Sequence, residues 1–139
     1  MKKKLLVLTT LALFALVQPP VYAADSYAPA PVRLQCTSTD PVGRAFCYQL
    51  EEGLIASHQF KLVNQAPSWV IHAVTVDDSV GLHGYSTSIG ITFTWSGAAN
   101  IPEAYMTANV LTAGAANVQQ LVQATLSDLS AEVNMLSSR

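Results

Sequence analysis

Between Tyr85 and Trp95 two kinds of side chain alternate without a break. Tyr85, Thr87, Ile89, Ile91, Phe93 and Trp95 fall on one side, and Ser86, Ser88, Gly90, Thr92 and Thr94 on the other. Successive residues of a strand point to opposite faces of its sheet, so this segment predicts a strand covered on its apolar side and wet on its small, polar side. A chain containing it must supply further strands to flank it and something amphipathic to cover it. Gly90, in mid-strand, predicts a bulge or a strong twist.

Further strands are legible on both sides. Trp69 to Val76 is almost wholly apolar and rich in β-branched residues, as expected in the middle of a sheet. Val32 to Cys36 alternates like a half-buried strand, and Phe60 to Val63 is a short one. Ala104 to Thr112 reads as another, with Tyr105, Thr107 and Asn109 on one face and Met106, Ala108 and Val110 on the other.

Two helices supply the cover. Asp40 can cap a helix that starts at Pro41, whose missing N–H costs nothing there, and runs to about Ser57. Val42, Phe46, Leu50 and Leu54 recur every four residues along it as a buried stripe. Gly53 inside it costs about 1 kcal/mol relative to alanine and suggests either a close backbone approach or a weak spot. A second helix, from about Ala115 to Leu136, carries Val118, Leu121, Val122, Thr125, Leu126, Leu129, Val133 and Leu136 at three- and four-residue intervals. The order is β-α-β-β-β-β-α, which predicts an α+β two-layer sandwich: a mainly antiparallel sheet with two helices on one face.

The amino terminus defines what folds. Lys2, Lys3 and Lys4 precede an apolar run from Leu5 to Val17, and Val21 and Ala23 supply small residues for a cut before Ala24. These are the parts of a cleavable secretory signal, and a 13-residue run is short of the roughly 20 that span a bilayer. Residues 1–23 are therefore expected to be removed, residues 24–31 to form a flexible Pro/Ala leader, and residues 32–139 to form a single domain. Without the signal, Arg33, Arg44, Lys61 and Arg139 stand against nine acidic residues, a net charge of −5. That balance argues against nucleic acid and against anionic lipid surfaces as partners, and no stable membrane anchor is expected.

Cys36 and Cys47 both lie in the mature part. Export to an oxidising compartment, with one possible pairing, makes a structural disulfide the expectation. Their spacing is not Cys-x-x-Cys, and no histidine stands close enough in sequence to complete a zinc motif.

Chemistry-bearing constellations are sparse. Asp77, Asp78 and His83 share a loop and could offer two carboxylates and an imidazole to a divalent cation, although the spacing matches neither a calcium loop nor a zinc site. His72 reads as a satisfied sheet-face histidine, and His58 stands at a helix end. No cofactor is implied, and no nucleophile is paired in sequence with a base. A candidate binding surface is the uncharged strand face bearing Ser86, Ser88, Thr92 and Thr94, flanked by Tyr85, Trp95 and Tyr105, which could receive a partner strand, a glycan or another copy.

This order of elements resembles small exported proteins of Gram-negative bacteria. In topology it resembles the curli secretion-accessory protein and the amino-terminal domain of the Tol-system periplasmic protein. The resemblance carries no functional residue across. The resulting expectation is a periplasmic binding or accessory protein that acts through its surface on an envelope or secreted partner. The alternatives are a small metal-dependent or hydrolytic enzyme built on Asp77, Asp78 and His83, and an inhibitor or immunity protein.

Overall fold

The computed structural model describes residues 28–78, 85–98 and 101–138. The expected signal peptide, most of the leader and His83 lie outside these residues. Seven elements follow the expected order: β1 (Ala30–Thr37), α1 (Pro41–Ala56), β2 (Phe60–Leu62), β3 (Ser68–Asp77), β4 (Ser86–Ser96), β5 (Ala104–Gly114) and α2 (Val118–Ser137).

The strands form one sheet in the order β2-β1-β3-β4-β5. The two long pairings, β3 with β4 and β4 with β5, are antiparallel, whereas β1 runs parallel to both of its neighbours. The sheet is thus mixed. Parallel neighbours need a crossover, and α1 provides it between β1 and β2.

Both helices cover one face and bury it in a single core. Val42, Phe46, Leu50 and Leu54 of α1 and Val118, Val122 and Leu129 of α2 pack with Val32, Ile71, Ile89, Ile91 and Phe93 of the sheet. A chain of this size needs such a continuous core, since each large aliphatic side chain removed from water contributes about 1.5–3 kcal/mol. Gly53 marks a close approach of the helices: a Cβ there would stand 2.8 Å from Leu126 Cδ1. No helix among the described residues is long and apolar enough to cross a membrane.

The helix starts differ in how they are closed. Asp40 caps α1, accepting from Gly43 N–H at 2.7 Å. Asn117 makes no such bond to α2; its Oδ1 instead accepts from Gly114 N–H at 2.7 Å. That turn delays α2 to Val118, three residues beyond Ala115, where the sequence pattern starts it.

Cys36 and Cys47 form a disulfide that joins β1 to α1, with Cα atoms 5.8 Å apart and a sequence separation of 11. Closing so short a loop stabilises by about 3 kcal/mol on the chain-entropy estimate. The double variant Cys36→Ser/Cys47→Ser is expected to lower unfolding stability by about 2–3 kcal/mol, read by urea titration. Reductant should shift the wild type by the same amount and leave the variant unmoved.

The open sheet face as candidate functional site

No helix or strand among the described residues lies over the face away from the helices. Register sets its rows: Val76, Ser88 and Thr112 lie side by side, then Val74, Gly90 and Val110, then His72, Thr92 and Ala108. Val74, Val76 and Val110 are 52%, 59% and 82% exposed, values that belong to a surface rather than to a core. Gly90, with no side chain, leaves a shallow trough between Val74 and Val110.

The next row is capped by a polar cluster. Arg33, Val70, Thr94 and Tyr105 are neighbours across β1, β3, β4 and β5. Glu103, just before β5, accepts from Arg33 Nη2 at 3.0 Å through Oε1, and from Thr94 Oγ1 and His72 Nε2, each at 2.7 Å, through Oε2. Arg33 Nε donates to Ser68 Oγ at 2.9 Å. The Arg33–Glu103 link spans the row, and Val70 within it is fully buried.

The Thr94 hydroxyl holds the Glu103 carboxyl below the usual glutamate range; burial opposes it, and His72 and Arg33 add to it. This arrangement is not a hydrolytic triad. Both the hydroxyl and the imidazole nitrogen turn toward one carboxylate oxygen, so Thr94 gives its proton to Glu103 and the imidazole does not stand between nucleophile and acid. The cluster's work is to pin β1, β3, β4 and the segment before β5 together.

Glu103→Gln keeps the shape and removes the charge. It is expected to cost about 1–2 kcal/mol, since hydrogen bonds to an ionised group contribute most. A carboxyl with a lowered folded pKa stabilises above its unfolded value of about 4.3, and that contribution is lost as pH falls through the folded value. Thermal unfolding of Glu103→Gln should accordingly lose less stability than the wild type between about pH 5 and pH 3.

At the other end of the face stands Asp78. It accepts from Ser88 Oγ at 2.9 Å through Oδ2, and from Ser86 Oγ through Oδ1. His83, the third member of the cation-binding constellation, lies outside the described residues. Among those residues no group of three or more histidine, cysteine or acidic side chains is placed to hold a metal ion.

Of the surface residues singled out in the sequence, Ser86, Ser88, Thr92 and Thr94 lie on this face, with Tyr105 beside Thr94. Tyr85 precedes β4 and is 70% exposed. Trp95 is the exception. It pairs with Trp69 on the helix side, their rings edge to face at 5.7 Å, and packs against the core.

The bulge predicted at Gly90 also falls elsewhere, between Phe93 and Thr94. It inserts Met106 as an extra residue of β5, which turns Tyr105 onto the same face as Ala108 and Val110 rather than with Thr107 and Asn109.

Sequence reasoning missed Arg33 and Glu103, which are 70 residues apart and meet only through the sheet. It also missed the full role of Asp40. That side chain is 2% exposed; besides capping α1, its Oδ2 accepts from Thr75 Oγ1 at 3.1 Å and Thr87 Oγ1 at 3.0 Å. The one available signal was Thr87, a hydroxyl in an otherwise apolar stripe.

Two comparisons with known proteins return nothing: no family model matches the chain, and no curated protein does. Among solved structures, a hypothetical protein from Chlamydia trachomatis is similar at a TM-score of 0.40 and 12% identity, over 60% of this chain and 70% of that one.

Proposed function

We propose that this protein is an exported, periplasmic binding or accessory protein that engages a protein partner through its open sheet face. The observation that carries this reading is the uncovered face itself, where Val74, Val76, Val110 and Tyr105 are each more than half exposed. Clustered exposed apolar groups rimmed by polar ones mark interaction sites in soluble domains. Here the rim is Glu103 with His72 and Arg33 at one end and Asp78 with Ser88 at the other.

The setting rests on the signal-like amino terminus and on the Cys36–Cys47 bridge, which suits an oxidising compartment. The topological resemblance to envelope proteins points the same way.

The test is capture from envelope extract with the mature domain, compared with Val74→Lys/Thr92→Lys. A charge at each position should reduce capture of any specific partner at least tenfold while the unfolding midpoint stays close to that of the wild type. Capture that survives both charges, or that is lost equally in Tyr48→Ala on the far side of the domain, refutes the reading. Micromolar metal uptake abolished by Asp78→Ala/His83→Ala would favour an enzyme instead.

A further inference from the structure

The two edges of the sheet are built differently. One ends in β2, three residues long, with Lys61 at its centre and Pro31 of β1 beside it. Short edge strands, lysine and proline are the ordinary guards against strand addition. The other edge is β5, eleven residues of sequence Ala-Tyr-Met-Thr-Ala-Asn-Val-Leu-Thr-Ala-Gly, without a charge or a proline. No described strand lies beyond it.

The backbone polarity of that edge follows from two hydrogen bonds. Asp78 N–H donates to Ser86 C=O, so the even residues of β4 bond toward β3 and its odd residues toward β5. The partners of those odd residues are Thr107, Asn109, Leu111 and Ala113, which leaves Ala108, Val110 and Thr112 with N–H and C=O directed outward. Gly114 continues the pattern, since its N–H turns to Asn117 Oδ1 instead of to β4.

We infer that β5 pairs antiparallel with β5 of a second copy, about a two-fold axis at Val110. An uncharged strand fits another uncharged strand, and an isologous pairing needs only the surface the chain already has. Centred on Val110, the row Val74, Gly90, Val110 continues directly into the partner copy's row in reverse order, so the two exposed faces become one. Val110, 82% exposed in the single chain, gains cover at the axis. Seven paired residues, from Thr107 to Ala113, span about 23 Å and a sheet is about 10 Å thick, which gives a strip of about 230 Å² on each copy. Stable dimers bury about 1,200–2,000 Å² in total, so this association is weak and reversible.

The proposal is independent of what binds the face, because it concerns the edge. Its test is light scattering of the mature protein across a wide concentration range, with hydrogen exchange on the same samples. The wild type should rise toward twice the monomer mass, with slowed exchange at Ala108, Val110 and Thr112 only where mass rises. Ala108→Pro removes an N–H that the monomer does not use and should stay monomeric with an unchanged unfolding midpoint. Val110→Lys, at a solvated position, should do the same and serves if the proline variant folds poorly. A wild type that stays monomeric throughout overturns the proposal. So does a dimer that persists in a folded variant, or exchange at the three amides that ignores concentration.

Discussion

Asp40→Ala is expected to lower unfolding stability by about 3–5 kcal/mol, a large part of what a domain of this size possesses. The carboxylate accepts from Gly43 N–H at the start of α1 and from Thr75 and Thr87 on two central strands, all within the core. Hydrogen bonds to a charged acceptor contribute about 1.5–3 kcal/mol each, and their removal strands the buried Thr75 hydroxyl and one helix N–H, while Thr87 Oγ1 keeps the Val76 carbonyl at 3.0 Å. Alanine supplies no substitute acceptor. Equilibrium urea unfolding gives the magnitude. A loss under about 1 kcal/mol would mean that the triple acceptor does not hold the layers together.

The same carboxylate sets part of the acid limit of the domain. Burial pushes the Asp40 carboxyl up, but the Gly43 N–H and the hydroxyls of Thr87 and Thr75 together outweigh it; the net position is below the ordinary aspartate range. Its stabilisation is therefore complete above the unfolded value of about 3.9 and is lost as pH falls through the folded value. Asp40→Asn, already uncharged, should be less stable at neutral pH and show a flatter decline in strong acid.

Asp40 also explains which parts of the fold were legible in the sequence and which were not. Its capping role could be read from Asp-Pro ahead of an apolar stripe, because caps are local. Its bonds to Thr75 and Thr87 span 35 and 47 residues, and no local pattern encodes them. The same division holds for the open face. The alternation through β4 exposed it directly, and Ser88, Thr92 and Thr94 fell where a period of two places them. The exposure of Val74, Val76 and Val110 could not be read, since an apolar run looks the same whether covered on both faces or on one. Trp95, named as a flank of that face, packs on the helix side, where the same alternation through β4 already places it.

Gly43→Ala is expected to cost at least about 3 kcal/mol, although alanine is ordinarily the better helix former by about 1 kcal/mol. A Cβ at Gly43 would lie 2.0 Å from Thr75 Oγ1 and 2.6 Å from both Asp40 Oδ2 and Ser38 Oγ. These atoms cannot retreat independently. Thr75 donates to Asp40, and Ser38 donates to the Asp40 carbonyl at 3.1 Å, so displacing one breaks the bonds of the others. The first turn of α1 would have to lift from β3, beneath the rows that carry Val74 and Val76 on the opposite side. Thr75→Ala removes the nearest obstacle and one hydrogen bond. Gly43→Ala/Thr75→Ala should therefore cost clearly less than the sum of the two single variants, as expected of residues that share one contact. Additive losses in that double-mutant cycle would show that the space above Thr75 is not what selects glycine.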